Sequence, residues 1–156
     1  MPKIGLVKAI VRYRSSFAWT QKFVHGNRNK EHSTRYLLMQ KAKDKFFPEN
    51  IGKWEFVGGL VERGETSKQA ITREVKEETG LEFRVVKQLP TLRKADKKYE
   101  STCDVYLIDV ASMNVKLSPE HSDYRWMKAE DIQKQDLVLY ADLLLEFFNN
   151  HQRYLD

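Results

Sequence analysis

Glu74, Glu77 and Glu78 stand at i, i+3 and i+4 in a stretch that reads as a helix. At 100° per residue they share one helical face. Like charges at that spacing weaken an isolated helix by roughly a few tenths of a kcal/mol per pair. A divalent cation removes the repulsion. Carboxylate and carbonyl oxygens select hard ions such as Mg²⁺ or Mn²⁺ over Zn²⁺, whose sites favour His and Cys. Two neighbouring features point the same way. The stripe follows Gly58-Gly59, where a backbone loop can approach a metal or a phosphate closely, and Glu65 adds a further carboxylate just ahead of the helix. A cation so held offsets charge on a phosphoanhydride and activates an attacking water. The competing reading of a glutamate stripe is a solvated face. Arg73 is the one basic residue placed to offset it, and His25, His32, His121 and His151 show no helical ligand spacing.

These residues need a frame. Strands are expected at Ile4 to Tyr13, Arg35 to Lys41, Lys53 to Val57, Glu82 to Gln88, Tyr99 to Val110 and Tyr124 to Met127, with another ending at Leu117. The acidic stripe lies on a helix from Ser67 to Thr79, stopped by Gly80, which favours a left-handed turn. Within it, Ile71 and Val75 would dock on the sheet while Lys68 and Lys76 face solvent. A last helix is expected from Leu137 to Asn149. Phe17, Trp19 and Phe23, ahead of a turn at residues 25–29, read as local packing or as a platform for base stacking. The order of elements is that of an α+β or mixed α/β fold, with helices on a curved sheet.

The 156 residues fit a single domain, residues 1–156, long enough for a core without staples. Cys103 is the lone cysteine, which excludes an internal disulfide and suits a reducing compartment. A net charge of +5 favours anionic partners without choosing among them. The first residues do not form a signal peptide, and no apolar run is long enough to span a membrane. The expectation is a cytoplasmic protein without a membrane partner, and a homodimer is compatible with these totals.

Gly59, Glu65 and the run Arg73-Glu74-Val75-Lys76-Glu77-Glu78-Thr79-Gly80-Leu81 match the 23-residue Nudix box at every fixed position. The chain therefore resembles the Nudix hydrolases, and the lead-in from Lys53 to Gly58 is similar too. One departure is Val57, where many members have proline. The resemblance implies an α/β/α sandwich around a mixed sheet. It implies that Glu74, Glu77 and Glu78 hold Mg²⁺, with Mn²⁺ as a substitute and the Gly59 carbonyl as a further ligand. Arg73 would orient these carboxylates by bidentate pairing, and Glu65 would support the loop or an outer ligand shell. The family attacks phosphorus with water and cleaves a nucleoside diphosphate linked to a further group. Glu74 is the candidate base inside the box, and Glu120, in the turn-rich stretch Ser118 to Asp123, the candidate outside it; Asp104 and Glu100 are rivals.

Substrate clues lie outside the box. Ser118 to Trp126 resembles the loop and strand of members acting on nucleoside triphosphates and nucleotide sugars, so the reading leans to a small mononucleotide. Tyr99, 18 residues beyond Leu81, is close to where the family's dinucleoside tetraphosphate hydrolases carry a tyrosine, and is otherwise a strand aromatic. Pro90 lies too early to match the proline of ADP-ribose hydrolases. Lys41 ends a strand where many members carry a phosphate-facing base, and otherwise reads as a solvated lysine. Beside the small-nucleotide pyrophosphohydrolase stand three alternatives: a dinucleoside polyphosphate hydrolase, an enzyme of RNA 5′ ends, and a non-catalytic nucleotide-binding module. No dense basic run or RNA-binding motif supports a nucleic-acid partner, and the repelling carboxylates argue against a pure binder.

Overall fold

Strand β1 (Lys3–Arg14) carries apolar residues on both faces, as a central strand covered on both sides should. The computed structural model describes residues 1–14, 34–95, 97–138, 144–145 and 148–150. Along one edge, β1 pairs in parallel with β7 (Glu100–Val110), from Lys3↔Glu100 to Tyr13↔Val110. Strands β5 (Phe83–Gln88) and β6 (Leu92–Ala95) pair antiparallel with β7. The other edge of β1 is divided. Residues Leu6 to Ala9 pair with β4 (Val57–Leu60), whereas Arg12 to Arg14 pair with β2 (Thr34–Lys41). Strand β3 (Trp54–Glu55) pairs with β2 instead, and β8 (His121–Met127) takes the far edge of β2. The sheet thus splits between β1 and β2, and the chain crosses the split at Phe56, which is buried.

Each face of this mixed sheet is covered. Helix α1 (Ser67–Thr79) lays Ala70, Ile71 and Val75 on Val7, Ala9, Val11, Val57 and Ile108. On the opposite face Ile10, Leu38, Phe56 and Leu107 pack with Ile132 of the short helix α2 (Ala129–Ile132) and with Leu144 and Phe148, which are helical. This is the α+β sandwich expected from the sequence. Local chemistry fixes the bounds of α1. Thr66 Oγ1 accepts from Gln69 N at 3.2 Å and Gln69 Oε1 accepts from Thr66 N at 2.9 Å, a reciprocal cap. Gly80 closes the other end at φ 65°.

Several expectations change. Gly58-Gly59 is not a free loop but part of β4, paired with Lys8 and Val7. Gly58 permits this at φ 141°; a Cβ there would sit 2.0 Å from the Val7 carbonyl oxygen. The strand expected from Lys53 to Val57 is broken at Phe56, because its two halves pair with different neighbours. No strand ends at Leu117: residues 111–118 are irregular, and Lys116 N donates to Thr79 O at 2.8 Å, covering the end of α1. Strand β8 begins at His121 rather than Tyr124, which shortens the Glu120 loop. Leu137 forms a bridge with Trp54 and so does not start the last helix. Strand β6 was not anticipated. The aromatic insert with Phe17, Trp19 and Phe23 lies outside the described residues. Among the described residues no helix is long and apolar enough to cross a membrane.

Candidate active site

The inward edge of α1 meets β4. Glu74 and Glu78, one turn apart, are 9% and 3% exposed. Gly58 N donates to Glu78 Oε2 at 3.3 Å. The Glu74 carboxylate lies so close to Gly59 that a Cβ there would come within 2.6 Å of its Oε1. Any other residue at Gly59 displaces the carboxylate. Burial, and then Glu74 beside it, push Glu78 well above the usual carboxylate range, against the pull of Lys8.

Glu77 behaves differently. Its side chain is 60% exposed and accepts from Arg73 Nη1 at 3.3 Å. The acidic face expected as one stripe is therefore divided. Relative to Glu74, Glu78 lies about 40° to one side and Glu77 about 60° to the other, and the sheet covers one side only. Arg73 binds the opposite side together. It makes a two-pronged pair with Glu65 at 2.7 and 3.0 Å, reaches Glu74 Oε1 at 3.0 Å and donates to Leu60 O at 3.1 Å. Glu65 in turn accepts from Glu62 N at 2.9 Å, which fixes the turn before the helix.

Beneath the glycines lies a charged group that the sequence reading passed over. Lys8 Nζ donates to Glu55 Oε2 at 3.2 Å, Phe56 O at 3.1 Å and Gly58 O at 3.4 Å. His121 Nε2 meets Glu55 Oε1 at 2.8 Å. Burial works to raise the Glu55 carboxyl, but Lys8, His121 and Lys41 overcome it and hold it at about 2. Burial likewise works to lower the Lys8 ammonium, and Glu55 and Glu78 overcome that too, leaving it above its ordinary value. The available signal was a lone lysine inside Leu6-Val7-Lys8-Ala9-Ile10-Val11, since a charge in an apolar strand demands a partner.

The remaining candidates are spread around this centre. Lys41 ends β2 as expected, but its ammonium is held by Asp44 at 2.8 Å and lies 3.6 Å from Glu55. Glu120 is exposed, and its carbonyl accepts from Ala42 N at 2.8 Å, which anchors its turn to the end of β2. Tyr99 sits at the turn before β7, beside Glu100, which pairs with Lys3 at the start of β1. Of the rival carboxylates, Glu100 faces Lys3 at 3.9 Å, and Asp104 accepts from Ser67 Oγ and Thr91 Oγ1 near the start of α1.

Two carboxyl groups buried against each other beside a glycine suit a hard divalent cation, whose charge would relieve both. Among the described residues no three acidic, histidine or cysteine groups already converge as a closed cage, in keeping with the outward position of Glu77. The family model of the NUDIX domain matches residues 24–147. The chain belongs to the Nudix hydrolases. Members of this family generally use divalent metal ions. Nucleoside triphosphatase NudI of Escherichia coli O139:H28 is 38% identical over 114 residues, covering 65% of this Nudix chain and 79% of that protein. The protein of the same name from Shigella flexneri matches to the same extent, 38% over 114 residues. Among solved structures, the MutT protein from Methanosarcina mazei Go1 superposes with a TM-score of 0.73 at 26% identity, over 97% of this chain and 96% of that one. A C. elegans Ap4A hydrolase in a binary complex shares the fold at a TM-score of 0.68 and 20% identity, over 96% and 98% of the two chains.

Proposed function

We propose that this Nudix pyrophosphohydrolase acts on nucleoside triphosphates in the presence of Mg²⁺ or Mn²⁺, releasing a nucleoside monophosphate and pyrophosphate. The observation that carries the reading is the buried Glu74–Glu78 pair set against Gly58 and Gly59. The choice of substrate is supported by the likeness to nucleoside triphosphatase NudI and by the stretch from Ser118 to Trp126. Residues 1–156 are taken as one domain, since the eight strands among the described residues join a single sheet. A cytoplasmic setting goes with the reading and suits the one buried thiol, Cys103.

Glu74, Glu78 and the Gly59 carbonyl would hold the cation, with Glu77 completing the set from the solvent side. Bound there, the ion would neutralise phosphate charge and lower the pKa of the attacking water. The chain's own groups do the rest. Arg73 fixes Glu74 from one side and Glu65 fixes Arg73, so the carboxylate cannot swing away. Gly58 N–H holds Glu78 in place. Glu74 or Glu120 takes the proton of the water. Lys41 would reach a substrate phosphate only by leaving Asp44.

The test is a panel of nucleoside triphosphates, nucleotide sugars and dinucleoside polyphosphates with product identification. Triphosphates should turn over fastest, and activity should vanish in excess chelator. Undiminished turnover after exhaustive chelation, or preference for a substrate with two nucleosides, would overturn the reading. To separate the candidate bases, Glu120→Gln and Glu74→Gln are compared at saturating Mg²⁺. The true base should lose about 100-fold or more in kcat together with the acidic limb of its pH–rate profile. An unchanged kcat in Glu120→Gln would leave Glu74 as the base.

A further inference from the structure

We infer that Lys8, Glu55 and His121 are positioning residues: a buried bridge across the split in the sheet that sets the glycines of β4 relative to the Glu120 turn. The inference rests on the active-site reading above. The three residues come from β1, β3 and β8, and the bridge crosses where β1 and β2 are not paired, since their register runs only from Arg12↔Tyr36 to Arg14↔Thr34. The side chains of Lys8, Glu55 and His121 are 8%, 6% and 1% exposed.

An ammonium has three protons to donate. Those of Lys8 have three acceptors: Glu55, the Phe56 carbonyl at the crossing and the Gly58 carbonyl beyond it. Gly58 is thereby held at both ends, its carbonyl by Lys8 and its N–H by Glu78. A shift of Lys8 moves the backbone that Glu78 and Glu74 rest on. The Glu55 carboxylate is divided in the same way. Oε2 takes Lys8 and Oε1 takes His121, the residue after Glu120. Among the described residues His121 Nδ1, which is buried, has no hydrogen-bond partner, so Glu55 is the group seen to orient the ring. One chain of contacts therefore runs from the candidate ligand Glu78, through Gly58, Lys8, Glu55 and His121, to the turn carrying Glu120.

A buried ion pair replaced by apolar residues of similar size is often neutral or stabilising, so stability is a weak ground for this bridge and positioning is the role inferred. Groups that orient metal ligands typically change metal affinity or activity by about 10–100-fold when altered.

The decisive variant is Lys8→Met combined with Glu55→Gln, which keeps shape and leaves the net charge of the bridge unchanged. It is studied beside His121→Leu, His121→Gln and Glu78→Gln. Mn²⁺ binding is measured by calorimetry without nucleotide, amide exchange at Gly58 by NMR, and kcat and KM on a nucleoside triphosphate. The double variant should melt cooperatively, bind Mn²⁺ at least about 10-fold more weakly and exchange its Gly58 amide faster. Its kcat should fall by about 30-fold or more, with KM changed less than about threefold, as misplacement of reacting groups predicts. His121→Leu should lose kcat, and His121→Gln, which can still donate to Glu55, should recover most of the loss. A folded double variant with wild-type Mn²⁺ affinity, Gly58 exchange and kcat overturns the bridge. Should the double variant fail to fold, equal kcat in His121→Leu and His121→Gln overturns it instead. Loss of activity in Glu78→Gln beside an unaffected bridge variant removes only this inference, whereas full activity in Glu78→Gln removes the active-site reading itself.

Discussion

Glu55 and Glu78 both feel the charge of Lys8, are 4% and 3% exposed, and are driven in opposite directions. Burial raises both. At Glu55, Lys8, His121 and Lys41 overcome it and the carboxyl falls to about 2. At Glu78 the nearest acidic group is Glu74, which adds to burial, and Lys8 alone does not reverse the shift. The side chains are the same and so is their depth, so the partners decide. A carboxylate with its cations already in the protein is part of the frame. One buried against a second carboxylate suits a cation, the ligand role proposed for Glu78.

The sharpest way to break this contrast is to neutralise each glutamate in turn. Glu78→Gln should lower kcat by at least about 100-fold, the scale of lost transition-state electrostatics. In chelator at pH 8 it should melt no lower than wild type, because a costly buried charge has been removed. Glu55→Gln leaves Lys8 without its closest counter-charge and should lower the melting temperature. Glu77→Gln, exposed and held by Arg73, should fall between wild type and Glu78→Gln in activity. A normal rate in a well-folded Glu78→Gln would remove Glu78 from the active site. Calorimetric melts and steady-state rates on the same preparations decide it.

Acid and base should also separate the pair. Glu78 is raised above its ordinary 4.5, so the folded state holds that proton more tightly than the unfolded state does. Without metal, this group's contribution to stability falls as the pH rises above about 4.5. Glu55 is depressed from 4.5 to about 2, so its contribution is present above about 4.5 and is lost as the pH falls towards 2. Mg²⁺, bound to the deprotonated carboxylates as proposed, should abolish the loss on the alkaline side while leaving the acid side unchanged. Melting temperature against pH, in chelator and in Mg²⁺, reads both. A metal-free curve that is flat from pH 5 to 8 would contradict the account of Glu78.

What could be read from the sequence was what is local along the chain. Helix α1, its caps and its glutamates lie within one short stretch, and the expected bounds, Ser67 to Thr79, are those found. The inward edge of the stripe was not legible, because β4 and β1 choose it. Lys8 meets Glu55 from 47 residues away and His121 meets it from 66. No spacing rule spans such distances, so His121 read as a surface or structural group and Glu55 as a part of the lead-in. Gly58-Gly59 read as a loop because glycine ordinarily weakens a strand. Here the missing Cβ is what lets β4 lie against Val7 and Glu74. The division of the sheet had no sequence signal at all, since Lys53 to Val57 reads as one strand until its two pairing partners are known.

The smallest expected effect belongs to Tyr99, which sits far along β1 from the glutamates. Its neighbour Glu100 is opposite Lys3, whereas Gly59 is opposite Val7, a separation of four residues or about 13 Å along a strand. A nucleoside triphosphate held through a cation at Glu74 and Glu78 would have little need of a contact that distant. A second nucleoside on a longer polyphosphate could reach it, and stacking of one base on an aromatic ring is worth about 1–3 kcal/mol. Tyr99→Ala should therefore change KM for nucleoside triphosphates by less than about twofold. If the ring, 38% exposed, does receive a second base, KM for a dinucleoside tetraphosphate should rise by about fivefold or more. The ratio of the two changes is the informative quantity, because a general loosening of β7 moves both alike. A ratio near one assigns Tyr99 to the strand and leaves discrimination to residues nearer the split; a large ratio would make the far end of β1 a second recognition point.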